Sequence, residues 1–108
     1  MNTNKNVKFV ATPQLKNGTC TVFLRGEFDL SVAPDFRELI EPFVGDDKVN
    51  LVLNLKELTY IDSTGIGILL SILKVRNGME ANFLVQEVPD QIQKLFDMTG
   101  IAKFFAAQ

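Results

Sequence analysis

Between Val49 and Gly67 an alternating apolar run passes through a cluster of small polar residues and into a helical pattern. Val49, Leu51, Leu53 and Leu55 occupy every second position, with Val52 apolar on the other face, so this segment reads as a well-buried strand. Lys56 to Thr59 lead on to Tyr60-Ile61-Asp62-Ser63-Thr64-Gly65-Ile66-Gly67. From about Thr64 to Arg76 the spacing is helical, and Asn77-Gly78 supplies an expected left-handed stop. A strand that runs straight into a helix favours a parallel, right-handed crossover to the next strand.

The remaining segments fit around that unit. Val7 to Ala11 reads as a short strand, Asn17-Gly18 as a turn, and Thr19 to Leu24 as a β-branched and aromatic second strand, together an antiparallel hairpin with a longish loop. After Gly26 comes a polar bend from Glu27 to Ser31. A helix is expected to open at Ser31, whose hydroxyl can cap free N–H groups, with Pro34 in its first turn. Phe36, Leu39, Ile40 and Phe43 give it one apolar face, and Pro42 is expected to weaken or end it near Glu41. Ala81 to Val85 reads as a strand, Pro89-Asp90 opens a last helix with Ile92, Leu95 and Phe96 inward, and Thr99-Gly100 closes it. Ile101 to Phe105 is an apolar tail expected to pack back. The order β-β-α-β-α-β-α implies an α/β fold, a small mixed sheet with helices against it. One domain over residues 1–108 is expected, ordered over about 7–105 and frayed at roughly 1–6 and 106–108.

Composition narrows the chemistry. The chain has no His, which removes a Ser-His-Asp triad, a His general base and His metal ligands. A lone Cys20 can form neither an internal disulfide nor a Cys-x-x-Cys site and fits a reducing compartment, so a cytoplasmic location is expected. Eleven Lys and Arg against thirteen Asp and Glu leave a net charge of −2, without the basic excess of a nucleic-acid binder. No apolar run approaches the roughly 18 residues needed to span a bilayer, and the polar start Met1 to Asn6 has no signal-peptide core behind it. No catalytic residue, cofactor or metal is expected, and no nucleic acid or membrane partner.

The turn at residues 60–67 carries most of the remaining information. Small polar residues stand where free N–H groups and the helix dipole favour negative charge, and either Asp62 or Ser63 can cap. The plain alternative is a cap followed by two close-packing glycines. A nucleophile elbow is excluded because position 61 is Ile and no His exists to activate the serine. A dinucleotide fingerprint lacks its third glycine, since Leu70 stands there, and no Walker A Lys follows. Within the helix, Ile66, Leu69, Leu70 and Leu73 form a core face. Ile68, Ile72 and Val75 form a second stripe nearly opposite, so the helix is either sandwiched or offers Ile68 and Ile72 to a partner.

Three blocks in order now resemble a known family. Asp62-Ser63-Thr64-Gly65-Ile66-Gly67 is similar to the Asp-Ser-[Ser/Thr]-Gly-[Leu/Ile]-Gly signature of STAS domains, specifically the bacterial anti-sigma-factor antagonists. Val22 to Asp29 resembles the family's apolar-x-Leu-x-Gly-Glu-x-Asp segment, and Leu95 to Phe104 its closing Leu-x-x-Thr-Gly-x-x-x-x-Phe. Thr64 for Ser and Ile66 for Leu are mild departures.

The resemblance implies a phospho-switch. The serine after the aspartate, here Ser63, would be phosphorylated by an anti-sigma factor that is also an ATP-dependent serine kinase, and restored by a PP2C-type phosphatase. The unphosphorylated form would bind the anti-sigma factor and free the sigma factor. Glu27, Asp29, Asp62, Ser63, Thr64, Gly65, Ile68 and Ile72 are the expected partner-binding residues, although Glu27 and Asp29 could equally serve loop solubility and helix capping. A phosphate would take the net charge to roughly −4 and place a dianion among carboxylates. The alternatives are a STAS module in another signalling or transport assembly, such as a stress scaffold or a lipid-transport complex, and, further off, a nucleotide-binding protein. A monomer or weak homodimer is expected.

Overall fold

The computed structural model describes residues 7–106, so the fraying expected at roughly residues 1–6 and 106–108 falls, apart from residue 106, outside the described residues. In chain order the elements are β1 (Phe9–Lys16), β2 (Thr19–Phe28), α1 (Ala33–Val44), β3 (Asn50–Ile61), α2 (Ser63–Gly78), β4 (Phe83–Gln86), α3 (Asp90–Thr99) and α4 (Ala102–Ala106). The sheet order is β1-β2-β3-β4; β1 is antiparallel to β2, and β2, β3 and β4 run parallel. The mixed sheet and the β-β-α-β-α-β-α order are therefore those expected from sequence. The apolar tail adds α4; Phe105 within it and Ile101 just before it are buried.

The hairpin is tighter than expected. Asn17 and Gly18 have φ of 53° and 80° and join Lys16 directly to its cross-strand neighbour Thr19. Positive φ at both central residues matches the twist of the flanking strands. The first strand consequently runs to Lys16 through Pro13, which an edge strand tolerates because its outer side has no strand to bond.

The third strand is also longer than its period-2 pattern. Phe23 faces Asn54 and Arg25 faces Glu57; Gly26 faces Leu58 and Glu27 faces Tyr60. Twice, then, β3 spends one residue more than β2, and each bulge re-aims the strand. Its inward residues are Leu51, Leu53 and Leu55, then Leu58 and Ile61, all buried. Gly26 sits at the second irregularity with φ 97°, and a Cβ there would overlap the Lys8 carbonyl oxygen. The same oxygen accepts the Glu27 N–H at 2.9 Å, so Gly26 is what lets β1 close on β2 here.

One sheet face carries the core. Cys20, Val22, Leu24, Leu51, Leu53, Leu55, Phe83 and Val85 are buried in one cluster with Phe36, Ile40, Leu69, Leu73, Ile92 and Phe96 from the helices. Phe28 and Phe36 lie 4.8 Å apart and Phe9 joins them at 5.2 and 6.0 Å, an aromatic plug at the end where β2 turns into α1.

Helix boundaries depart from expectation for identifiable reasons. A 3₁₀ turn, Leu30–Val32, precedes α1 and is capped by Asp29, not by Ser31; α1 itself opens without a side-chain cap, on Pro34. It continues past Pro42 to Val44 because Arg76 binds the carbonyls of Phe43 and Val44 at 3.1 Å each, which holds the last turn together. Asn77-Gly78 is not a left-handed stop: α2 includes both residues, and the positive φ falls on Glu80, at 57°. Gly100, with φ 81°, closes α3 as expected.

Candidate functional site at the start of the second helix

The chain leaves β3 at Ile61 and enters α2 at Ser63, beyond the carboxyl ends of the parallel strands β2 and β3. Asp62, in extended conformation between them, is the cap. Its Oδ1 accepts the Gly65 N–H at 2.9 Å and its Oδ2 accepts the Leu30 N–H at 3.2 Å. One carboxylate thus closes the helix start and ties it to the turn after β2, while the Asp62 N–H donates to the Phe28 carbonyl at 3.2 Å. Because Asp62 caps, Ser63 is released. It is exposed, and its hydroxyl has no hydrogen-bond partner among the described residues.

The neighbouring acidic residues divide in role. Asp29 Oδ1 accepts from the Ser31 N–H at 3.0 Å and from the Ser31 hydroxyl at 2.7 Å, and Oδ2 is ion-paired with Lys8. Lys8 Nζ also donates to Ser31 Oγ at 3.1 Å. The hydrogen bond from Lys8 holds the Asp29 carboxyl at about 2, well below the usual carboxylate range, and the same contact raises Lys8. Asp29 is therefore a capping residue with its charge matched, and Glu27 stays exposed next to it, across from Tyr60. Lys8 was invisible as part of this site because its partner is 21 residues away and no local pattern marks the pair.

Gly65 makes the junction possible. A Cβ on it would stand 2.7 Å from Ile61 Cγ1 and 3.0 Å from the Phe28 carbonyl oxygen. Only a glycine lets α2 start this close to the ends of β2 and β3.

Residues 11–108 match the family described as the STAS domain. The chain belongs to the STAS domain family. It is 33% identical over 76 residues to the anti-sigma-B factor antagonist of Staphylococcus aureus (strain NCTC 8325 / PS 47), an overlap of 70% of each chain. In structure it resembles an anti-sigma factor antagonist from Mycobacterium paratuberculosis, with a TM-score of 0.80 and 26% identity over 90% of this chain and 82% of the other. It also shares the fold of the Bacillus cell fate determinant SpoIIAA in its phosphorylated form, with a TM-score of 0.70 and 18% identity over 88% and 87% of the two chains.

In this STAS domain the two-faced α2 is sandwiched. Ile68 and Ile72 are 3% and 4% exposed, so they are not the open partner stripe that their spacing suggested; of that stripe Val75 alone is exposed, at 44%. The reason is α1, which packs along α2 and converts the second stripe into an inter-helix contact. Ile66 and Leu70, expected in the core, are only partly buried. A groove remains between the two helices. Near the start of α2 it is lined by Leu30, Ala33, Arg37, Ser63, Gly67 and Ile68. Leu30, Ala33, Pro34 and Arg37 recur at helical spacing, a sequence signal that could have marked this wall.

The two glycines of the turn have opposite duties. Nothing lies within 4 Å of a Cβ built on Gly67, which is exposed inside the helix. Gly67→Ala should stabilise the domain by about 0.5–1 kcal/mol through helix propensity. Gly65→Ala should destabilise it by about 1–3 kcal/mol through the overlap with Ile61 and Phe28. Urea titrations of both variants check the pair; equal effects would mean that the helix start can shift freely.

Proposed function

We propose that this STAS domain is an anti-sigma factor antagonist whose binding is switched at Ser63. The unphosphorylated form binds an anti-sigma factor that carries ATP-dependent serine kinase activity, and so frees the sigma factor. Phosphorylation of Ser63 ends that binding, and a PP2C-type phosphatase restores it. The observation that carries the reading is the division of labour at the turn: Asp62 performs the capping, leaving the Ser63 hydroxyl exposed at the first residue of α2 and unbonded among the described residues. The relatives named as antagonists support the partner class.

The local physics suits such a switch. A phosphate adds about −1.5 to −2 charge at pH 7. At the first turn of a helix, outward N–H groups and the dipole accommodate it, so the domain keeps its fold. A partner docked over Asp62, Ser63, Thr64 and the exposed Glu27 would have to desolvate that dianion beside carboxylates, which weakens binding without any change of shape.

Incubation with the cognate kinase and ATP should add one phosphate, mapped to Ser63 by mass spectrometry. Ser63→Ala should bind the anti-sigma factor yet take up no phosphate. Ser63→Asp should lower affinity at least about 30-fold, equivalent to about 2 kcal/mol, measured by calorimetry. Absence of the mass gain with a kinase that modifies other antagonists of its kind would overturn the reading for that pair.

A further inference from the structure

The groove beside Ser63 runs between α1 and α2. Of the side chains that line it, Arg37 is the charged one; the others are apolar, small or hydroxylic. Arg37 is exposed on α1 and has no ion pair or hydrogen bond among the described residues. We propose that Arg37 receives the phosphate of phospho-Ser63, so that the modified side chain lies in the groove between α1 and α2 instead of standing out in solvent. This rests on the reading of Ser63 as a phosphorylation site.

The surroundings favour that placement. A guanidinium presents a planar fork of donors that fits phosphate oxygens, and a free one gives up no existing contact to do so. Ala33 and Gly67 leave the space between Ser63 and Arg37 without bulk, and nothing lies within 4 Å of a Cβ placed on Gly67. The two aspartates nearest the turn are otherwise engaged. Asp62 accepts from the N–H groups of Gly65 and Leu30, and Asp29 is paired with Lys8. Glu38 and Glu41 line the next stretch of groove, toward Val44 and Val75, which Arg37 also borders; neither is ion-paired with Arg37 among the described residues, and neither lines the stretch that holds Ser63. In the modified protein the phosphate then covers the floor of the groove and withdraws Arg37 from the surface a partner would meet. The off state is a filled groove as well as an added charge.

The test uses the full chain with phosphoserine installed at position 63 during translation, so it does not depend on any kinase. Phosphorus NMR follows the second ionisation of the phosphate. In the unsubstituted background it should titrate about half a pH unit lower than in Arg37→Gln, with the difference fading in about 1 M salt. Arg37→Lys should keep part of the shift through charge alone. The helix start acts equally on all variants, so the difference reports Arg37. Thermal melts of the unmodified Arg37→Gln protein should match those of the unsubstituted chain, since Arg37 has no ion pair or hydrogen bond to lose among the described residues. Coincident titration curves with and without Arg37 would overturn the proposal. So would an equal shift in Lys74→Gln, a substitution elsewhere on α2, because net charge alone would then be read. If instead a kinase fails to modify Ser63, the switch fails while this measurement stands.

Discussion

Arg76→Met is expected to lower the unfolding free energy by about 3–5 kcal/mol, read from urea titrations followed by circular dichroism. Arg76 is fully buried, and among the described residues its guanidinium serves five backbone carbonyls and no carboxylate. It donates to Phe43 and Val44 at 3.1 Å, to Asp46 at 2.9 Å, to Val49 at 2.6 Å and to Asn82 at 2.7 and 3.0 Å. Burial pulls its pKa down, and the charges of Asp46 and Asp47 push back. These carbonyls end α1, shape the loop into β3 and set the approach to β4. An apolar residue of similar volume often replaces a buried ion pair without loss, because both charges leave together. Here the acceptors are main chain and stay behind, so the substitution strands them. Arg76→Lys should recover only part of the loss, as a single ammonium cannot span the same set. A cost under about 1 kcal/mol would show that water reaches those carbonyls once the side chain is gone.

Gly26→Ala is expected to cost about 2–4 kcal/mol, from two effects at one atom. The backbone sits at φ 97°, which side chains rarely adopt, and the new methyl group would overlap the Lys8 carbonyl oxygen. Relief requires β1 to move away from β2 at Phe9, which stacks 5.2 Å from Phe28. It also disturbs Lys8, which pairs with Asp29 beside the Ser63 turn. The variant should therefore lose stability and loosen the start of α1 together, visible as faster amide exchange at Ser31 and Val32. A substitution that lowers stability yet leaves that exchange unchanged would separate the strand pairing from the turn.

Much of the architecture was legible because it is local. The alternation from Val49 to Leu55, the helical spacing of Phe36 and Ile40, and the turn at Asn17-Gly18 each depend on neighbours a few residues away. The far half of β3 was hidden, since its bulges break the period after Leu55. The end of α1 depends on distance in the same way: Pro42 is a genuine local breaker, overruled by Arg76, which lies 34 residues further on.

The turn shows the same division at the scale of the site. Sequence alone placed small polar residues between a buried strand and a helix, removed His-based chemistry and singled out Ser63 by resemblance. It could not choose between Asp62 and Ser63 as the cap, because both side chains can reach the same free N–H groups. That choice was made by tertiary structure: the Leu30 N–H arrives beside Asp62 and engages its second oxygen. The burial of Ile68 and Ile72, the pairing of Lys8 with Asp29 and the position of Arg37 beside Ser63 were likewise decided in three dimensions. Periodicity tells which residues share a face. What that face meets depends on chain segments distant in sequence, brought together by packing of the whole core.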